Sequence, residues 1–371
     1  MRNLRQSAVA SFLMAIGVLV VILQPAAAQA PPAVTCEAAG PVKFVCGQAG
    51  PEDLVAVPES RWLIASAFGG DGGLFAIDTR AASSTKIYPV ASAAARLDKA
   101  TYDTCPGPPQ TAPRFLTHGL FLQPGAGGRH TLYVVHHGSR ESVEVFALDA
   151  RGQAPALTWI GCAVAPDPIG LNSVLALPGG GFVATNFQPR APAGAAGGGF
   201  QSALINGENN GELWEWHTGR GWAKVPGSES AGANGLELSK DGSWFYVAQW
   251  GNRSFMRVSR GRTPVVRDTL TLGFRVDNVR WAPDGTLLVA GQGGPDCAIF
   301  GPGRAAGPCT GVATSTIGRV DPNKWTYTTV VDYPTSPVIA AATVAIQVGD
   351  ELWAGSFRGD RIIRYPARGL R

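Results

Sequence analysis

The sequence predicts an all-β protein built as a six-bladed β-propeller. Three observations carry that expectation. One hairpin grammar recurs six times, one polar position keeps a fixed register to each hairpin turn, and the composition is rich in turn residues, with 48 Gly and 28 Pro in 371 residues. Strong helix formers such as Lys and Glu are sparse, as an all-β chain with many reversals requires.

Taken in order, the chain opens with Arg2 and Arg5, an apolar run from Ala8 to Leu23, then Pro25 and the small residues Ala26-Ala27-Ala28-Gln29-Ala30. That is the layout of a secretory signal peptide over residues 1–30, cleaved after Ala28 or Ala30. The run of about 16 residues is short of the roughly 20 that span a bilayer. The expected mature protein, residues 31–371, is a single propeller domain, exported to the periplasm or secreted, with no membrane attachment after cleavage. Without Arg2 and Arg5 the chain carries 29 basic and 27 acidic residues and no basic cluster, which gives no support for a nucleic-acid partner. Six cysteines remain, an even number that predicts three disulfides in an oxidising compartment. Nearness pairs Cys36 with Cys46 and Cys297 with Cys309, leaving Cys105 with Cys162.

The repeated unit is an alternating apolar strand, a Pro, Gly or Asp turn, and a second strand. It reads LVAVPESRWLIAS from Leu54, GLFLQPGAGGRHTLYVV from Gly119 and SVLALPGGGFVAT from Ser173. It recurs as GLELSKDGSWFYVA from Gly235, VRWAPDGTLLVA from Val279 and VAIQVGDELWAG from Val344. Several units continue into further strands, such as SVEVFALD and RSFMRVS. Blades of four strands repeated around a channel give this pattern.

A polar residue stands six positions before each turn: Glu52 before Pro58, His118 before Pro124, Asn172 before Pro178, Asn234 before Lys240, Asp277 before Pro283 and Thr343 before Gly349. First strands line the axis of a propeller, so these side chains are expected to meet at one end of the channel. Reflection through the turns brings His118 opposite His137, Asn172 near Asn186 and Asn234 near Gln249. Phe68, Phe187, Trp250 and Phe357 follow just beyond and, with Thr343, are expected to form a substrate pocket with a polar floor and aromatic walls.

The floor set Glu52, Asn172, Asn234, Asp277 and Asn278 is all oxygen with two carboxylates, the chemistry of a calcium site. Zinc would want His or Cys. His118 and His137 are candidate general bases. His136 alternates to the opposite strand face and is expected to be structural. His130 and His217 read as loop or blade surface, and Asp71, Asp78, Asp241 and Asp284 as turn and surface residues. No GxSxG elbow is present.

These segments resemble the paraoxonase and arylesterase family, within the calcium-dependent, gluconolactonase-like lactonase propellers. The resemblance runs in order through Gly50-Pro51-Glu52-Asp53-Leu54, Thr117-His118-Gly119-Leu120, YVVHHGSRESVEVF from Tyr133, LNSV around Asn172, GANGLELS around Asn234, RVDNVRW around Asp277 and AATVA around Thr343. It implies a catalytic calcium on Glu52, Asn172, Asn234, Asp277 and Asn278, and a His118–His137 dyad in which His137 activates water and His118 assists. It also implies a second, structural calcium at Asp53 and the carbonyl of Leu120. There Ser173 stands where the family has an acid, so that site is short of a carboxylate. No cysteine follows Cys309, so the ring must close without the family's disulfide between its ends. The implied activity is hydrolysis of a lactone or aryl ester. Two alternatives remain: a sugar lactonase using a carboxylate base, and a non-catalytic propeller that binds a ligand or partner around a structural calcium.

Overall fold

The computed structural model describes residues 36–190, 203–300 and 309–367. The expected leader, residues 1–30, lies outside them. Strand β1 (Lys43–Cys46) precedes the first blade, which consists of β2 (Leu54–Ala56), β3 (Trp62–Ala67), β4 (Gly73–Asp78) and β5 (Ser83–Tyr88). After the two-residue β6 (Ala94–Ala95), blade two runs β7 (Leu116–Gln123), β8 (Arg129–His137), β9 (Ser142–Asp149) and β10 (Ala156–Val164). Blade three is β11 (Leu171–Ala176), β12 (Phe182–Asn186), β13 (Glu212–His217) and β14 (Gly221–Lys224). Blade four is β15 (Ala233–Leu238), β16 (Trp244–Gln249), β17 (Ser254–Ser259) and β18 (Arg267–Thr271). Blade five is β19 (Arg275–Trp281), β20 (Leu287–Gly293), β21 (Thr314–Asp321) and β22 (Thr326–Pro334). Blade six has β23 (Val344–Val348), β24 (Glu351–Gly355) and β25 (Arg361–Pro366), and its fourth strand is β1.

The protein is therefore a six-bladed β-propeller closed by strand exchange between the two ends of the chain. Phe44 pairs with Ile363 and Val45 with Ile362, antiparallel. Phe44 and Val45 bury their side chains in the cores on either side of blade six, and the Cys36–Cys46 disulfide pins the end of the closing strand. Cys105–Cys162 ties the segment between blades one and two to β10, and Cys297–Cys309 is also formed.

Burial explains why the sequence reads as it does. Inner strands are covered on both faces by neighbouring blades: every residue of β11, β12 and β20 is buried. Outer strands alternate or face solvent, as in β5 and β18. The cores lie between blades, as where Leu175 and Val183 of blade three meet Phe245 and Met256 of blade four. Each such side chain contributes about 1.5–3 kcal/mol.

Two surface expectations need correction. His130 is buried, and its Nδ1 accepts from the Gly125 amide at 3.2 Å, closing the β7–β8 hairpin. Asp78 is also buried: it caps the turn through the amides of Arg80 and Ala81 and pairs with Arg61 at 2.8 Å.

Candidate functional site

In blades two to five the ladder between first and second strands breaks at the floor position. The register shifts between Thr117 and Leu120, Leu171 and Val174, Ala233 and Leu236, and Val276 and Val279. Each break is a bulge that contains His118-Gly119, Asn172-Ser173, Asn234-Gly235 or Asp277-Asn278. A bulge bends the strand and re-aims a side chain, here at the axis. It also corrects the simple reflection: the backbone partner of His137 is Leu116, that of Asn186 is Leu171, and that of Gln249 is Ala233. Glycine after the floor residue has a steric reason. A Cβ on Gly119 would lie 2.3 Å from the Asn172 carbonyl oxygen, and one on Gly235 2.5 Å from Asn278 Cα.

These bulges bring His118, Asn172, Asn234 and Asp277 to the floor of a cavity of about 250 Å³, where Glu52, just before β2, joins them. Asn278 lies beneath and donates from Nδ2 to Glu52 Oε1 at 2.6 Å. Phe68, Phe187, Trp250 and Phe357 form the walls, as the sequence predicts, together with Leu204, Ile205 and Phe300. Thr343 does not reach the cavity. It is fully buried, and its Oγ1 donates to the Glu52 carbonyl at 2.6 Å, so it fixes the floor from below. Phe300 comes from the short helix Asp296–Phe300, which Asp296 anchors through Arg253 and Arg275.

Gln292 is a residue the register argument missed. Its Nε2 donates to Asp277 Oδ2 at 2.8 Å and to the Ala342 carbonyl at 3.0 Å, while its Oε1 accepts from Trp250 Nε1 at 2.7 Å. It couples the aromatic wall to the floor.

The floor is rich in unused acceptors. Glu52 Oε2 and the Oδ1 atoms of Asn172, Asn234 and Asn278 are buried without a hydrogen-bond partner. An unsatisfied buried polar atom costs about 1–3 kcal/mol, and a cation would satisfy four such oxygens together. Burial, then repulsion from Asp53 and Asp277, holds the Glu52 carboxyl well above the usual carboxylate range. Burial also pushes Asp277 up to about 7, against hydrogen bonds from Gln292 and Asn234. Among the described residues no three His, Cys, Asp or Glu side chains cluster as metal ligands; a hard ion here would rest on amide oxygens as much as on carboxylates. This donor set fits calcium.

The second implied ion does not fit. Arg280 donates from one terminal nitrogen to Asp53 Oδ2 and, at 3.0 Å, to the Leu120 carbonyl, the two groups assigned to that ion. Ser173 Oγ, at the position where the family has an acid, is buried and unpartnered.

The histidines form a line. His118 Nδ1 lies 2.8 Å from His137 Nε2, and His137 Nδ1 lies 2.8 Å from Glu141 Oε2. Glu141 is held through its other oxygen by the Leu171 amide at 2.6 Å. His118 Nε2 faces the floor, 3.4 Å from Asn172 Nδ2 and 3.7 Å from Glu52 Oε1. Sequence reasoning missed Glu141, which lies in the β8–β9 connection outside the repeat register. His136 is fully buried, bonded through Nδ1 to the Leu116 carbonyl at 3.0 Å and stacked on Phe115. Burial, then the neighbouring His137, holds His118 well below the ordinary histidine range.

Fold and site together define a six-bladed β-propeller with an oxygen-lined axial floor, a histidine–carboxylate line and an apolar mouth. No family model matches the chain, and no curated protein matches it. Solved structures do. A luciferin-regenerating enzyme superposes with TM-score 0.51 at 15% identity, over 88% of this chain and 93% of that one. A protein described by its solvers as a candidate gluconolactonase gives TM-score 0.50 at 12% identity, over 89% and 93%. At such identities the likeness shows the fold alone.

Proposed function

We propose that the chain is a calcium-dependent hydrolase of lactones or aryl esters, within the paraoxonase-like and gluconolactonase-like propellers. The observation that supports this most is the line Glu141–His137–His118 ending at the cavity floor. With the Glu141 carboxylate accepting, His137 donates from Nδ1 and its Nε2 must accept. His118 then donates from Nδ1, which leaves the lone pair on its Nε2 turned to the floor. Burial keeps that imidazole neutral. His118, not His137, is therefore the group that removes a proton from water, and His137 with Glu141 holds its tautomer and stabilises the imidazolium.

The five floor residues Glu52, Asn172, Asn234, Asp277 and Asn278 would hold the ion, which supplies positive charge beside the carbonyl oxygen. The water oxygen bonds to the carbonyl carbon while its proton passes to His118 Nε2. The ester C–O bond then breaks, and the proton returns to the leaving oxygen, giving an acid and an alcohol, joined as one hydroxy acid when the substrate is a lactone. Walls of Phe68, Phe187, Trp250, Phe300 and Phe357 suit an apolar lactone or aryl ester better than a polyhydroxylated sugar lactone, whose hydroxyls need partners. The gluconolactonase-like neighbour accords with ester chemistry. The three disulfides support export to an oxidising compartment.

The test is hydrolysis of phenyl acetate, an aliphatic δ-lactone and gluconolactone by the purified protein, with calcium and after chelation. Calcium-dependent turnover of the first two, lost in His118→Gln, is the expected result. Turnover of gluconolactone alone, unaffected by His118→Gln, moves the base to a carboxylate. No turnover of any of them, with calcium still bound, favours the non-catalytic propeller.

A further inference from the structure

Next to Asp53, behind the cavity floor, lies one buried guanidinium. Arg280 belongs to β19 and is buried. Its Nε donates to the Leu54 carbonyl at 3.1 Å, one terminal nitrogen to the Val279 carbonyl at 2.8 Å, and the other to Asp53 Oδ2 and, at 3.0 Å, to the Leu120 carbonyl. Four oxygens from blades one, two and five thus surround one cationic group. Hard divalent ions take such oxygens, but here a guanidinium occupies the position.

Both carboxylate oxygens of Asp53 are occupied without a metal. Asp53 Oδ1 takes the Leu54 amide at 2.8 Å, and Oδ2 takes the Leu120 amide at 2.7 Å as well as Arg280. Asp53 and Arg280 form a one-to-one ion pair, so the carboxylate that a divalent ion would use is already neutralised. Contrast the floor, where four acceptor oxygens stand unpartnered.

We infer that Arg280 is a tethered replacement for a structural cation, so that this chain holds no divalent ion at Asp53, and that removing the guanidinium opens a calcium site made of Asp53 Oδ2 and the carbonyls of Leu54, Leu120 and Val279. The inference rests on the geometry behind the floor and is independent of whether the floor itself carries calcium. A guanidinium cannot be chelated away, so the junction of blades one, two and five keeps its cation when calcium is withdrawn.

The test counts calcium ions per chain by native mass spectrometry and equilibrium dialysis, in the wild type, Arg280→Ala, Arg280→Lys and Arg280→Ala/Asp53→Asn. Arg280→Ala should hold one ion more than the wild type. Arg280→Lys and the double variant should match the wild type: an ammonium keeps the positive charge in place, and Asp53→Asn removes the carboxylate that a divalent ion needs. In chelator Arg280→Ala should melt well below the wild type, and calcium should raise its melting temperature further than it raises that of the wild type. Should Arg280→Ala fail to fold in chelator, refolding by calcium and not by sodium chloride of equal ionic strength supports the inference; failure to refold in calcium overturns it. Equal ion counts in Arg280→Ala and the wild type overturn it. A wild type with no ion at all would sink the calcium floor instead, and the difference between the two chains would still decide the role of Arg280.

Discussion

His118 Nδ1 and His137 Nε2 stand 2.8 Å apart, although their backbones are not partners: the ladder pairs His137 with Leu116. The β7 bulge swings His118 across this gap, so that one imidazole faces the cavity and the other faces Glu141. The two rings cannot exchange roles, because only His118 reaches the floor.

From that ordering, His118→Gln should lower turnover of lactone or aryl ester by a factor on the order of 10² or more, the usual worth of a general base. His137→Gln should cost less, and Glu141→Gln on the order of tenfold, with the acid limb of the pH–rate profile displaced. His136→Gln should lower the melting temperature and leave kcat near wild type, since His136 packs on Phe115 away from the cavity. Steady-state kinetics with melting curves on the four variants separate these cases. Full activity in His118→Gln would remove the relay from the mechanism.

Calcium should stabilise the folded protein. An ion bound only by the native state at one hundred times its dissociation constant contributes about 2.7 kcal/mol. Chelation should therefore lower the melting temperature, calcium should restore it, and magnesium should do so poorly. Asp277→Ala should weaken the response more than Asn172→Ala, because it removes charge as well as a ligand. Identical melting in calcium and in chelator would count against the floor as a metal site.

Glu237, in β15, is buried, and loss of solvent raises its carboxyl from 4.5 to about 7, against the pull of Arg280. The folded state thus keeps a proton that the unfolded chain releases. The stability this supplies is fully present below the ordinary carboxylate range and is lost as pH rises through about 7, a change on the order of 3 kcal/mol. Glu237→Gln should flatten that dependence: relative to wild type it gains stability as pH increases. Denaturant melts of both proteins between acid and mildly alkaline pH would show the difference, and parallel curves would refute it.

Loss of the Cys36–Cys46 bond should loosen blade six first. The bridge closes a loop with a sequence separation of 10, and bridges of this size stabilise by about 3 kcal/mol. In Cys36→Ser/Cys46→Ser, hydrogen exchange should rise in β1 and β25 before it rises in β12 or β16. Uniform change across all blades would contradict this.

Much of the fold was legible because a propeller repeats itself. Turn residues and two-sided burial mark each inner hairpin, and the fixed step from floor residue to turn named the floor without any single motif. What escaped has physical causes. VKFVC follows the Gly40-Pro41 turn but has no hairpin partner near it in sequence, because its partner β25 lies at the other end of the chain. Glu141 and Gln292 act through side-chain geometry at positions the repeat does not mark, and Phe300 and Leu204 come from insertions that belong to no blade. Arg280 carries no signal in the sequence, since nothing local says that four oxygens from three blades converge on it. Thr343 was placed at the pocket wall by its register, but its blade has no bulge there and it turns beneath Glu52 instead.

Because β1 completes the sixth blade, the earliest strand among the described residues is the last to find its neighbour. Until β25 arrives, the ring is an open arc with an apolar face at each end. Such surfaces invite pairing between two chains instead of within one, and joining the ends of the sequence places this topology among slow, non-local folders. No complete ring can therefore form before β25 has been made.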